Sequence, residues 1–403
     1  MANDGPIALL GYSVETMEVA TELEVPFIAV VPAAFAPGLE RDGIATEGWD
    51  FDLRNEESGR LSEKLRARGA RVAIPLYEET VEWAGAVNGL LRDDPLSFQR
   101  SLLFRDKAMM KRNAQMNGIR VGVFEEVGSR VDALRFFQRV NQALLKRDDV
   151  TDPVHLKPLS AAGSVGHVVI GEPGDIDSLP DDAFPCLAES HIAGQEFSVE
   201  AFVHDGKIRF MNITEYVRLG YSQIVPASPA LDAHRDRILA AVEKLVRAFQ
   251  VQNGVIHPEY FIDAEGDLNF GEVAARVPGG HIFDLIGKAH GVNAYGAYLL
   301  CADPDVSDER LDAYFAPAKE GTVRYAANLM VYPRRSCVHE LRIPKELLEH
   351  PYFERHDMFE PMTSKVAERV GFGNHYGTIY FSGEDPAVLR DLLERYEAYD
   401  FYV

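Results

Sequence analysis

Short apolar runs alternate with helical patterns at the start of the chain. Residues 6–10 (PIALL) read as a buried strand, and Ser13 is placed to cap a helix over roughly 14–23. Pro26 ends that unit and FIAVV (27–31) forms a second strand. Residues 56–68 read as a helix leading to RVAIPL (71–76), another strand. This βαβ opening predicts a parallel sheet with ligands at the strand ends, closing near residue 95. No G-x-G-x-x-G follows the first strand, so a dinucleotide site has no support.

The pattern then changes twice. A basic helical stretch covers 100–117 and stops at Asn117–Gly118. A helix over 131–146 is predicted by apolar Val131, Leu134, Phe137, Val140 and Leu144. From there short strands dominate: 154–157, 167–170, 186–190, 196–206 and 207–217, with His204–Asp205–Gly206 as a hairpin turn. A helix over 232–252 ends at Asn253–Gly254, and strands 255–262 and 268–273 follow. Helices near 281–290 and 292–300 precede a mixed tail. There is no repeat, linker or low-complexity segment.

Composition narrows the class. The 403 residues allow two to four domains, and 46% hydrophobic residues are ordinary for a folded chain. Three scattered cysteines (Cys186, Cys301, Cys337) supply neither a disulfide framework nor a structural zinc site, so the expected setting is cytoplasmic. No signal peptide and no membrane span are expected. The 41 basic and 63 acidic residues leave a formal charge of −22, which argues against a nucleic-acid partner but not against a small anion held locally.

Four segments carry candidate chemistry. Lys157 ends a strand before a loop holding Gly163, Ser164 and Gly166, whose backbone N–H groups can meet phosphate oxygens while the lysine adds a point charge. Alone, this segment reads more simply as a polar hairpin, and no Walker pattern is present. Glu189 precedes an irregular piece at His191–Ile192, where free backbone groups can read an adenine edge, with Glu196 as a ribose partner. Two surface carboxylates beside a turn explain that segment equally well. Glu259 and Glu272 lie on consecutive strands. If the hairpin is centred between Glu265 and Gly266, they stand directly opposite each other and call for a cation such as Mg²⁺. Arg276 follows before Pro278–Gly279–Gly280 and can stabilise charge on a reacting carboxylate or phosphoryl group; a purely structural arginine is the alternative.

Other residues have plainer readings. His155 and His167 flank the glycine loop, as ordinary hairpin positions or as phosphate contacts. His257 shares the strand face of Glu259 and is placed to line the site or to be structural. His281 follows Gly280 closely and is placed to approach substrate. The Tyr332–Pro333–Arg334–Arg335 patch binds an anion or holds a surface turn, and the aromatic ending RYEAYDFYV docks the tail.

The order Asp106–Lys107, Lys157 with SAAGSVG, Glu189 through Glu196, Glu259, then Glu272-Val-Ala-Ala-Arg276-Val-Pro-Gly-Gly resembles the ATP-grasp superfamily. Within it the chain looks like the carboxylate–amine ligases that include L-amino-acid ligases. The resemblance implies an α/β (α+β composite) ATP-grasp fold with an N-terminal Rossmann-like preATP-grasp domain over 1–95. It also implies a linking helical part over 96–125, a lid subdomain over 126–200, and a large catalytic subdomain with a C-terminal extension over 201–403. Lys107 and Lys157 would hold ATP phosphates under a lid loop containing Gly163, Ser164 and Gly166. Glu189, His191 and Ile192 would meet adenine, and Glu196 the ribose. Glu259 and Glu272 would bind Mg²⁺, with Mn²⁺ as an alternative, and Arg276 would be catalytic. One departure is Ala274, where many relatives carry a metal-binding Asn; it leaves the metal count open.

The implied activity joins a small carboxylate to an amine through an acyl phosphate, releasing ADP and phosphate. The alternatives are a thiol acceptor, carboxyphosphate chemistry, or a nonenzymatic nucleotide-binding module. No nucleic acid or membrane partner is implied, and a homodimer is compatible with the family.

Overall fold

The computed structural model describes residues 5–54, 56–142, 151–161, 163–319, 321, 324–361, 365–367, 369 and 371–403. Strands β1 (Ile7–Leu10), β2 (Phe27–Pro32), β3 (Thr46–Trp49) and β4 (Val72–Pro75) form a parallel sheet in the order β3-β2-β1-β4. The strand β3 carries no strong apolar run, and the hydropathy pattern passes over it. β1 is central and fully buried, because helices cover both faces. Ile7 and Leu9 pack toward the helices Ile282–His290 and Ala294–Ala302, whereas Ala8 and Leu10 pack with Trp83 and Val87.

A second sheet holds β5 (Phe124–Val127), β6 (Val154–Pro158), β7 (Val168–Ile170) and β8 (Cys186–Ser190) in the order β5-β8-β6-β7. Phe136 and Phe137 of the helix Arg130–Asn141 fill one face. That helix starts where expected, with Ser129 accepting from the Asp132 N–H; the expected continuation through Leu144 falls outside the described residues.

The third sheet is antiparallel and has eight strands: β9 (Gln195–His204), β10 (Lys207–Arg218), β11 (Ser222–Val225), β12 (Gly254–Ile262), β13 (Leu268–Ala274), β14 (Tyr325–Met330), β15 (Phe353–His356) and β16 (Thr378–Gly383). Its order is β13-β12-β9-β10-β11-β14-β16-β15. The β9–β10 turn is the expected two-residue hairpin, with Asp205 and Gly206 both at positive φ and His204 paired to Lys207. Helices Arg235–Ala248 and Lys107–Met116 pack on this sheet through Ile238, Val242 and Met110, and helix Pro386–Glu397 packs through Leu389 and Leu393.

The helix expected over 100–117 is two helices, Ser97–Leu102 and Lys107–Met116. Asp106 breaks it: its backbone is extended and its carboxylate caps the second helix at the Met109 N–H, 2.8 Å away. The register of the β12–β13 hairpin also needs correction. Tyr260 pairs with Phe270 and Ile262 with Leu268, so the turn centres on Glu265 rather than between Glu265 and Gly266. A bulge at Gly271 then inserts one residue and restores the pairing of Glu259 with Glu272.

The aromatic tail docks as expected. The Tyr402 hydroxyl donates to the Phe359 carbonyl at 2.7 Å, and Val403 bonds the backbone of Glu340. Arg335 pairs with Asp400 at 2.9 Å and Arg334 bonds the Glu397 carbonyl, so both arginines hold the chain end.

Candidate active site

The second and third sheets face each other across a cavity of about 520 Å³, which reaches the carboxyl end of β4 through Glu78. Of the residues singled out from the sequence, Lys107, Lys157, Gly163, Ser164, Glu189, His191, Ile192, Glu196, Glu259, Glu272 and Arg276 line it, and Gly166 does not. Ala274 lines it too.

The cationic centre is built from two elements. Lys107 is the first residue of its helix, and its Nζ reaches the Ala161 carbonyl at 2.7 Å and Glu272 Oε2 at 3.6 Å. Lys157 on β6 donates to Glu189 Oε2 at 3.1 Å. Burial pulls the Lys157 ammonium down, but Glu189 and Glu272 outweigh it and raise its pKa above the usual lysine range. Glu189 is buried and ion-paired on its other oxygen with Lys111, itself 2% exposed. Its carboxylate is therefore held by two lysines. Lys111 was not singled out from sequence. Its position four residues after Lys107, on the same helix face, is the signal that marks it. Burial lowers its pKa against the opposing pull of Glu189.

The acidic centre is the Glu259–Glu272 pair. Glu259 Oε1 accepts from the Tyr216 hydroxyl at 3.3 Å and lies 3.6 Å from His257 Nε2. Behind it His257 Nδ1 bonds the fully buried Glu200 at 2.9 Å. Burial pushes His257 down, yet its bonds to Glu200 and Glu259 hold its pKa near about 9. Glu272 is pushed up by burial, but Lys107, Lys157, Lys111 and Arg276 bring it to about 2. Glu196 goes the other way, to about 8, because burial and the nearby Glu259 both disfavour its charge. The facing Glu259–Glu272 pair suits a bound cation, and carboxylate oxygen donors suit Mg²⁺.

Arg276 reaches back to the parallel sheet. Its Nε donates to Glu78 Oε2 at 2.8 Å, and Glu78 also receives Arg105 at 2.7 Å. Glu78 sits just past the carboxyl end of β4, where open parallel sheets place their sites; no local motif flagged it. The glycine loop turns with Gly163, Ser164 and Gly166 at positive φ. At Gly166 a Cβ would lie 2.7 Å from Pro158, so the position is restricted to glycine on two counts. His155 is no ordinary hairpin residue: its two ring nitrogens lie 3.0 Å from His167 and 3.2 Å from His191. Burial and the neighbouring His167 lower His155 to about 4. His281 is turned toward Asp284 at 3.3 Å and does not line the cavity.

The chain is similar to several known proteins. Residues 180–284 match the ATP-grasp domain family. The chain is 23% identical over 252 residues to the L-arginine-specific L-amino acid ligase of Bacillus subtilis, covering 56% of this chain and 58% of that protein. The match thus spans less than two thirds of the curated relative's length. An L-amino acid ligase from Bacillus licheniformis superposes with a TM-score of 0.76 at 18% identity, covering 98% of this chain and 97% of that one. The ADP complex of N5-carboxyaminoimidazole synthetase from Staphylococcus aureus gives 0.66 at 16% identity, with 98% of each chain covered. Residues 180–284 thus match an ATP-grasp domain, and the chain as a whole has the ATP-grasp fold with a parallel N-terminal sheet.

Proposed function

We propose that this protein is an ATP-dependent carboxylate–amine ligase that forms an amide or peptide bond and releases ADP and phosphate. The observation that carries this reading is the facing pair Glu259–Glu272 in one cavity with Lys107 and Lys157. The lysines neutralise phosphate charge. The carboxylates fit Mg²⁺, or Mn²⁺ in its place, which when bound supplies further charge neutralisation on the phosphates. Among the described residues no third His, Cys, Asp or Glu completes a metal cluster with them, and Ala274 offers no oxygen. Glu259 and Glu272 are the residues that would hold the ion, leaving positions that phosphate oxygens and water could fill.

The substrate carboxylate oxygen attacks the γ-phosphorus of ATP, the bond to the β-phosphate bridging oxygen breaks, and ADP leaves. The acyl phosphate has the leaving group that a free carboxylate lacks. Amine nitrogen then attacks the acyl carbon, phosphate departs, and the nitrogen gives up a proton. Arg276, oriented by Glu78, stabilises the negative charge that develops in both steps. The loop at Gly163–Gly166 covers the phosphates and keeps water from the intermediate. Ile192 and its neighbouring backbone face the base, and Glu196 the ribose.

The three sheets support a division near the expected edges at 95, 125 and 200, with β5–β8 as the lid and β9 onward as the catalytic body. No described helix is long and apolar enough to cross a membrane. Three free cysteines, two of them buried, suit a reducing compartment such as the cytoplasm. One structural neighbour is a biotin carboxylase domain dimer, which keeps a homodimer in view.

The test is an ADP-release screen of paired amino acids and small carboxylates with mass-spectrometric product detection. ADP formation requiring both an acid and an amine, with a coupled amide, is expected. ATP binding with no acid-dependent turnover would favour a nonenzymatic nucleotide-binding module. A thioester product, or a bicarbonate requirement, would move the assignment to the other ligase chemistries.

A further inference from the structure

One end of the cavity, around Phe372 and Gly220, is not used by the nucleotide reading. It is walled by Leu219 and Gly220 between β10 and β11, Met330 at the end of β14, Ile282 at the start of its helix, and Phe372 and His375 from the C-terminal region. Those last two residues give the chain beyond residue 320 a place in the site.

Phe372 is held there from several sides. Its N–H donates to the Gly163 carbonyl at 3.0 Å, tying it to the glycine loop. The Tyr332 hydroxyl lies 2.8 Å from the Phe372 carbonyl and 3.0 Å from that of Gly220. The Phe372 ring rests on Gly220, where a Cβ would fall 2.1 Å from it. Gly371, at φ +56°, passes so close to Gly163 that a Cβ would lie 2.2 Å from its carbonyl oxygen. His375 meets His281 and Tyr332 edge-on at 6.0 and 6.2 Å. Burial and the neighbouring His281 lower its pKa.

Negative charge at this end is already committed. Glu78 is shared by Arg276 and Arg105, and Asp284 holds His281. None of Leu219, Gly220, Ile282, Met330, Phe372 and His375 carries a carboxylate to receive a cationic side chain. A guanidinium or ammonium placed here would lose its water without gaining a partner, whereas an apolar side chain gains burial against Leu219, Met330 and Phe372.

We infer that the acid substrate of this ligase is an amino acid with a neutral, largely apolar side chain, aliphatic or aromatic, and that Phe372 sets that preference. This rests on the ligase reading above. It separates the chain from the Bacillus subtilis relative, whose name specifies L-arginine.

The experiment uses the full chain with ATP, Mg²⁺ and an excess of alanine as amine. Leucine, methionine, phenylalanine, arginine, lysine and glutamate are each supplied as the acid, and mass spectrometry identifies the N-terminal residue of the product. kcat/KM for leucine, methionine or phenylalanine should exceed that for arginine and lysine by at least about tenfold, since two or three buried methylenes have that worth. Phe372→Ala should shrink this ratio several-fold, and Phe372→Leu should keep most of it. Arginine or lysine matching the neutral acids in the unmodified protein would overturn the inference while leaving the ligase intact, and that comparison needs no variant to fold. A Phe372→Ala protein that slows all acids equally, with the ratio unchanged, would remove Phe372 as the determinant. ATP binding without ADP release for any acid would remove both readings together.

Discussion

Glu259 and Glu272 face each other across two antiparallel strands because Gly271 bulges out between them. The turn register alone would set Glu259 opposite Gly271. The extra residue moves Glu272 into place and turns the end of β13 toward Arg276.

Glu272→Gln tests the acidic centre. The change keeps the shape and removes the charge that faces Lys107 and Glu259. ADP release should fall roughly 100-fold or more, the scale of losing a charge-stabilising group worth several kcal/mol. Denaturant unfolding at pH 7 should show a loss of stability as well, because the cations that hold its pKa at about 2 make the Glu272 charge net stabilising. Turnover at the unmodified rate would remove Glu272 from the phosphate site.

Gly271→Ala tests the bulge. A Cβ there would lie 3.0 Å from the Glu259 carbonyl oxygen and 3.1 Å from the Phe261 ring. The backbone must shift, at a cost of about 1–3 kcal/mol. Turnover should drop alongside stability, since the shift displaces both carboxylates. Undiminished ADP release in a destabilised protein would show that the register tolerates the movement.

Lys111→Met tests the buried triad. Lys111 and Glu189 are both almost inaccessible to solvent, with Lys157 on the other carboxylate oxygen. Removing one lysine leaves Glu189 undercompensated and should destabilise the fold by about 3–5 kcal/mol. The double variant Lys111→Met with Glu189→Gln should recover part of that loss. A double variant as unstable as the sum of the two single ones would argue against direct coupling.

Stability should fall on both sides of neutrality, for opposite reasons. His155 and His290 have folded pKa values near about 4, below the ordinary 6.5, with burial the leading cause for each. The unfolded chain binds more protons between those values, so their contribution is lost as pH falls from about 6.5 toward 4. His257 is raised to about 9, so its contribution is complete below about 6.5 and is lost as pH rises through 9. Denaturant unfolding from pH 4.5 to 9.5 checks this. His257→Gln should flatten the alkaline limb and leave the acid limb in place.

Much of the site was legible along the chain because its residues sit at strand ends and loop edges, where short-range rules apply. The alternation in β6 marked Lys157, and the hairpin marked Glu259 and Glu272 as neighbours. The helix position of Lys111 was readable as well, although its burial was not. Asp106 is the instructive miss. A periodic apolar pattern runs straight through it, yet its side chain satisfies the Met109 N–H and ends one helix to start another. Local hydrogen bonding there outweighs periodicity.

By itself, then, the sequence determined the alternation of strands and helices, the chain order of the charged residues and the types of chemistry they support. Those depend on neighbours within a few positions. Only the tertiary structure decided which charges are spent. Glu189 is consumed by Lys111 and Lys157, Glu78 comes from the N-terminal sheet to orient Arg276, and Phe372 arrives from the far end of the chain to sit on Gly220. Each of these contacts joins segments far apart in sequence. The energies behind them, desolvation and ion pairing in a closed space, exist only once the sheets have packed.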